Sequence, residues 1–218
     1  ETVFAPGEGE HRAPAVVRPA GCIVCGHCIA ICPTDAIRHR EIDPSRCPPI
    51  SAQPAIPPEQ LLHFLRRRRS ERCFRPEPVA RELLETLLEA ARCAPSASNA
   101  QVFQFIVVAE RERIRRLAAL ALAPFRLALR LLETPLLGAL LWRAARTAFS
   151  SGDYTLDDLR YIVEGPQHGR DPIFFDAPAV ILTHAPKRAP FGETDCANAQ
   201  HQMALMAEAL GLGLSLIH

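Results

Sequence analysis

The segment GCIVCGHCIAICPTDAI carries Cys22, Cys25, Cys28 and Cys32 at the spacing CxxCxxCxxxC, with Pro33 directly after. Thiolates at this spacing hold a cubane [4Fe-4S] cluster, because a loop curled round one centre lets each sulfur reach a different iron. The chemistry this offers is one-electron transfer. Gly26 suits the tight curl, since glycine adopts positive φ at little cost. A structural zinc site draws on two CxxC or CxxH pairs a dozen or more residues apart, and no second pair is present. A disulfide framework belongs to small, loop-rich secreted domains, whereas this chain has eight cysteines in 218 residues and an ample apolar composition. The fourth ligand is open. In two-cluster proteins the last cysteine of such a run serves the other cluster, and this chain has a single run, so Cys47, followed by Pro48, stands in reserve beside Cys32. With no cysteine before Cys22 and a start at Glu1, the sequence reads as one that has lost a first run. His27, inside the loop, reads equally as a residue that tunes a cluster by hydrogen bonding and as a surface histidine.

The elements that must position this loop and its partner site follow from composition and periodicity. With 218 residues, 48% of them hydrophobic, the chain can hold one full core and a small satellite module. A net charge of +1 supplies no overall field to draw nucleic acid or a membrane surface. The apolar stretch from Leu117 to Ala145 is broken by Arg126, Arg130, Glu133 and Arg143 and by two prolines, so it reads as helices in water rather than a span. Reduced thiolates and the lack of a targeting segment point to the cytoplasm.

A proline-rich connector, RCPPISAQPAIPPEQ, divides the chain into a cysteine module over residues 1–54 and a larger domain over 55–218. In the second part, Glu59 to Arg69 reads as a helix. Val79, Leu83, Leu84, Leu87, Leu88 and Ala91 recur at helical spacing and predict a second helix with one buried face. Phe103–Ala109 and Ala179–His184 read as buried strands. Asp195 is placed to cap a helix carrying Ala199, Met203, Met206, Ala207 and Leu210, closed by Gly211 and followed by a strand-like segment, Leu214 to Ile217. The class is α+β. Cys73, Cys93 and Cys196 read as small buried apolar residues.

Three further elements could do chemistry. Arg66 to Arg69, Ser70 and Arg72 form a run that is either a solvated helix end or an anion site, where guanidinium groups and a hydroxyl make charge-assisted bonds to phosphate. CAPSASNAQ, Cys93 to Gln101, is a small-polar turn whose amides and hydroxyls either bond their own backbone or face the edge of a flat heterocycle. ALGLGLSLI places Gly211 and Gly213 where a chain can pass close to a ligand.

Taken together, RRSERCF, APSASNAQVFQF, DPIFFDAPAVILTHA and DCANAQHQMALMAEALGLG resemble the nitroreductase family of FMN-dependent oxidoreductases, and more closely its subgroup with a ferredoxin-like iron-sulfur module fused in front. The resemblance implies a ferredoxin-like 4Fe-4S module followed by a nitroreductase-like α/β sandwich domain that is incomplete at its C-terminal end. It implies that Arg68, Arg69, Ser70 and Arg72 hold the flavin phosphate and reach toward the pyrimidine end of the ring. Pro95, Ser96, Asn99 and Gln101 match the second flavin segment, with Asn99 the foremost contact to the isoalloxazine, while Gly213 and Ile217 fall where backbone lies beside the ring. Val102 and Phe103 depart from the family's usual Pro-Trp. The implied activity is reduction of an electron-poor small molecule, a nitro compound, quinone or similar, by FMN in exchange with the cluster, with NAD(P)H or another redox protein as donor. A homodimer is implied for the full-length protein, with no catalytic acid–base residue. A rival from another class is a non-catalytic iron-sulfur electron carrier whose flavin domain has degenerated.

Overall fold

The computed structural model describes residues 3–7, 13–47, 55–134, 138 and 155–217. Before the connector the chain forms two short antiparallel strands, β1 (Phe4–Ala5) and β2 (Ala15–Val16), and a one-turn helix, α1 (His27–Ala30). Tight 3-10 turns lie at Pro19–Gly21 and Pro44–Arg46. None of the described residues before Pro48 is buried, so this part builds no apolar core of its own. The connector prolines Pro48, Pro49 and Pro54, and with them the expected boundary at 54/55, lie outside the described residues, as does most of the apolar stretch beyond Thr134.

The larger part is α+β. It comprises α2 (Pro58–Arg67), α3 (Arg81–Arg92), β3 (Gln104–Val108), α4 (Arg111–Leu132), α5 (Leu156–Glu164), β4 (Val180–His184) and α6 (Gly192–Ala209). The core is the contact of α3 with α6. Helical spacing brings Leu84, Leu87 and Ala91 of α3 onto Ala199, Met203 and Ala207 of α6, with Phe103 closing one end. The small residues of α6 let the two backbones approach, and burial of such a face is the main source of stability for helices this short. The outward face of α3 carries the Arg81–Glu85 and Glu89–Arg92 pairs at helical spacing.

Strands β3 and β4 pair antiparallel, Gln104 opposite His184 and Val108 opposite Val180, and lay Phe105 and Ile181 against the same core. Both strands stand where the sequence predicts but are not buried as expected, since β3 leaves Ile106 and Val107 exposed and no residue of β4 is fully buried. Helix α4 buries Ile114, Ala118, Leu122 and Leu129 along one face and carries Pro124 within it. It meets α5 through an Arg160–Glu133 pair, and Thr155 and Asp158 close a reciprocal capping box at the start of α5. Hydrogen bonds from the Thr155 backbone N–H and then its hydroxyl hold the Asp158 carboxyl below its usual range. Among the described residues no helix is long and apolar enough to cross a membrane.

Three further expectations need correction. The 214–217 segment is extended but belongs to no strand. A cleft of about 1080 Å³ lies between Ile181 and Thr183 of β4 and Leu214 and Ser215, so the segment stands off its expected neighbour, and the buried hydroxyls of Thr183 and Ser215 find no partner. Its backbone bond runs instead from the Glu71 N–H to the Leu214 carbonyl, at 3.1 Å. Asp195 does not cap α6. Phe191 occupies the cap, and Asp195 sits one turn in, buried. Cys73 and Cys93 are exposed rather than buried, because they fall on the polar flanks of the arginine segment and of α3.

Candidate functional site

Cys22, Cys25, Cys28 and Cys32 lie on one loop, all as free thiols, with Cys28 on α1. Gly26 has φ +70, as the curl requires, and Val24 is also left-handed at φ +54, a position that a β-branched residue rarely takes. Backbone amides face the sulfurs. The Val24 N–H lies 3.4 Å from Cys22 Sγ and the Ala36 N–H 3.3 Å from Cys32 Sγ. The Thr34 amide, then its hydroxyl, then the Ala36 amide draw the Cys32 thiol down from 9.0 to about 7. Among the described residues no three His, Cys, Asp or Glu side chains converge on one point as they would for a single ion. Cys47 directs its thiol at the Asp43 carbonyl, 3.5 Å away within its own turn.

The histidine at the sulfurs is His39, not His27. His39 Nε2 stands 3.6 Å from Cys22 Sγ, while His27 is exposed. The Glu41 backbone N–H donates to His39 Nδ1 at 3.1 Å, so the neutral ring carries its proton on Nε2 and offers it to the sulfur. Nothing in the spacing of His39, seventeen positions from Cys22, signals this contact.

The 95–101 turn is built by strained backbone and distant anchors. Ser98, Asn99 and Gln101 have φ of +52, +54 and +46. The Ser96 hydroxyl accepts the Gln101 N–H at 2.9 Å, the Asn198 side chain donates to the Pro95 carbonyl at 3.3 Å, and Asp195 Oδ1 accepts the Ala97 N–H at 3.1 Å. Asp195 is therefore a positioning residue that sequence reasoning placed correctly on the helix but assigned to a cap. Burial, reinforced by the neighbouring Asp195 carboxylate, pushes the Cys196 thiol up. The Asn99 carboxamide nitrogen lies 3.3 Å from the Ile23 carbonyl and 3.1 Å from that of Val24, tying this turn to the cysteine loop.

The arginine segment sits elsewhere. Arg67 pairs with Glu208 at 3.1 Å, anchoring the end of α2 to the end of α6. Arg69 Nη1 caps α2, donating to the Arg66 carbonyl and, at 2.9 Å, to that of Arg68. The Arg72 guanidinium lies over the Phe175 ring, 5.7 Å from its centroid. Ser70 and Arg72 are exposed and Arg68 half-buried. Gly213 abuts this segment so closely that a Cβ there would stand 2.7 Å from Glu71 Cγ. Gly213 and Ile217 both line the cleft.

The structure thus ties the 95–101 turn to the cysteine loop through Asn99, and the arginine segment to Gly213 through Glu71, while Arg68, Arg69, Ser70 and Arg72 do not line the cleft. The two groups are anchored at opposite ends of α6. Asp195 and Glu208 both lie on that helix. Thirteen helical steps separate them, or about 20 Å at a rise of about 1.5 Å per residue.

Residues 65–218 match the sequence model of the nitroreductase family. The chain belongs to the nitroreductase family. Over 62 residues, 28% of this nitroreductase-family chain and 25% of the relative, it is 37% identical to the FMN reductase [NAD(P)H] of Bacillus subtilis strain 168. Over 60 residues, 28% of the chain and 34% of the relative, it is 38% identical to an Archaeoglobus fulgidus protein whose name couples NADH dehydrogenase with NAD(P)H nitroreductase. These two matches therefore span about a quarter to a third of the relatives' length. Among solved structures, a nitroreductase with bound FMN from Bacteroides fragilis NCTC 9343 superposes with a TM-score of 0.48 at 21% identity, covering 70% of this chain and 66% of that one. For this nitroreductase-family chain the α+β class follows from the family match together with the helices and strands described above.

Proposed function

We propose that this chain is an FMN-dependent oxidoreductase that uses a [4Fe-4S] cluster and reduces an electron-poor small molecule such as a nitro compound or quinone, with NAD(P)H as donor. The observation that carries the reading is that the cysteine loop is bonded to the 95–101 turn, so the two candidate redox segments of the sequence meet in space. FMN and NAD(P)H stand in the names of the relatives above and come to this chain by family membership.

The donor set suits the cluster. Four free thiols, two of them facing backbone N–H groups and one already drawn down to about 7, are soft ligands in a polar setting. In a cubane each thiolate binds its own iron, so the four need not converge on a point. The described part of the module has no buried residue, and a metal staple is the usual remedy for a segment that cannot build a core. For FMN, the exposed Ser70 and Arg72 and the half-buried Arg68 offer a phosphate a hydroxyl and two guanidinium groups.

Bound FMN would convert between one- and two-electron chemistry, and the cluster would supply single electrons. The chain's own residues bind and orient. Arg68, Ser70 and Arg72 would hold the phosphate end, and Pro95, Ser96 and Gln101 would line the ring. No side chain is assigned a proton transfer.

The distance along α6 bears on assembly. Anchors about 20 Å apart on one helix do not favour one flavin spanning both segments of a single chain. A second copy could instead bring its 95–101 turn to the first copy's arginines. Helix α2 also buries nothing and leaves Leu61, Leu62 and Leu65 exposed, an apolar face that a second copy would cover. A homodimer with composite flavin sites is accordingly part of the proposal. The test is iron, acid-labile sulfide and FMN per chain after anaerobic purification, with light scattering for mass. Iron near four with FMN in a dimer supports the reading. Iron without FMN would leave an electron carrier, and a chain that takes up neither would end both readings.

A further inference from the structure

Asn99 stands first among the ring contacts implied by family resemblance, yet its side chain is occupied otherwise. An asparagine amide offers two N–H donors and one carbonyl oxygen. Here Nδ2 faces the Ile23 and Val24 carbonyls at 3.3 and 3.1 Å, and Oδ1 accepts from Gln101 Nε2 at 3.3 Å. The orientation is fixed by its neighbours. Turned over, the amide would set its oxygen against two carbonyl oxygens and its nitrogen against another N–H donor. Both donors are therefore spent on the cysteine loop.

The contact joins two strained backbones. On one side are the left-handed Ser98, Asn99 and Gln101, and on the other the left-handed Val24. Asparagine tolerates this region, but a β-branched residue does so only where its surroundings hold it there. Val24 is held at both ends, its N–H on Cys22 Sγ and its carbonyl on Asn99. Release of the carbonyl frees Val24 to return to an extended conformation and takes its N–H away from the sulfur.

We propose that Asn99 is the latch that docks the cysteine loop onto the 95–101 turn, and that it acts as a positioning residue for the loop rather than as a ligand of the flavin ring. The role in electron transfer rests on the function proposed above, whereas the latch itself does not. It sets the Cys22–Cys25 end of the loop against the flavin segment, so that Asn99 holds the carbonyl of Val24, the residue whose own amide faces a candidate ligand sulfur. Hydrogen bonds to cluster sulfurs are among the determinants of reduction potential, so the latch also fixes part of the electronic setting of a bound cluster.

The experiment compares Asn99→Ala and Asn99→Asp with the parent chain. The aspartate keeps the shape and the acceptor but loses both donors. Amide hydrogen exchange is measured on the cofactor-free chain, and FMN affinity and cluster potential on the reconstituted protein. Loss of two bonds is expected to raise exchange at the Val24 amide roughly tenfold in both variants, with FMN affinity changed less than about threefold and the cluster potential lowered. Unchanged exchange at the Val24 amide would overturn the latch. So would a tenfold loss of FMN affinity on a loop whose exchange is unaltered, because Asn99 would then serve the ring. Failure of the parent chain to take up iron or FMN would end the proposed function while the exchange result still decided the latch.

Discussion

Replacing Asp195 should loosen the 95–101 turn from a distance. Its carboxylate is 3% exposed and accepts the Ala97 N–H at 3.1 Å, across 98 positions of sequence. A hydrogen bond to a charged group contributes about 1.5–3 kcal/mol, and a carboxylate in the first turn of a helix about 0.3–1 kcal/mol more. Against this stands the cost of burying a polar group, about 1–3 kcal/mol on protein mutational data, which Asp195→Ala relieves. The difference is a net destabilisation of about 1 kcal/mol. At about 2–4 °C per kcal/mol for a chain of this size, the melting temperature should fall by roughly 2–4 °C. Asp195→Asn keeps an acceptor for the Ala97 N–H and should cost well under half as much. The more specific readout is local. Exchange of the Ala97 amide should rise about tenfold or more in the alanine variant and little in the asparagine one. Because the carboxylate helps to push the Cys196 thiol up, both variants should also make Cys196 easier to alkylate at mildly alkaline pH. An alanine variant with normal Ala97 exchange, or an asparagine variant as damaged as the alanine one, would refute the anchoring role.

Gly213→Ala places a methyl group 2.7 Å from Glu71 Cγ and 3.0 Å from its Cβ, the stiff end of that side chain, so the arginine segment must shift. Overpacking of this kind should lower FMN affinity at least severalfold in a fluorescence titration. In the reduced, cluster-free chain Cys32 should alkylate with a midpoint near pH 7, well below the 9.0 of an ordinary thiol, since the amides and hydroxyl around it favour the thiolate; Thr34→Ala should move the midpoint upward by mass-mapped iodoacetamide labelling. His39→Ala removes an N–H aimed at Cys22 Sγ and should lower the potential of the reconstituted cluster, measured by redox titration, whereas His27→Ala should leave it in place.

The legible parts of this chain are those set by local periodicity. Leu84, Leu87 and Ala91 announced α3, and the β-rich runs announced β3 and β4 within a residue or two. Helix α6 was legible as a helix but not in its start, because the side chain that resembled a cap, Asp195, is drawn inward by a backbone amide 98 residues earlier. The cysteine spacing disclosed a candidate ligand set and the need for a left-handed Gly26, yet not the left-handed Val24, whose β-branched side chain argues against that conformation. His39 and the Asn99 contact were invisible for another reason. Each depends on a meeting of segments remote in sequence, which no local pattern encodes. The 214–217 segment read as a strand from its apolar residues, but ladder pairing depends on a neighbour at hydrogen-bond distance, and there the cleft intervenes.

Helix α6 is a ruler. One end carries the anchor of the 95–101 turn and the other the anchor of the arginine segment, so its length and phase set how the two are presented. Inserting a single residue between Asp195 and Glu208 would lengthen the helix by about 1.5 Å and turn one anchor about 100° relative to the other. Substitutions on the outer face of α6 leave that gauge intact, whereas insertions and deletions do not. Through evolution this helix should therefore drift freely in outward-facing composition and hardly at all in length.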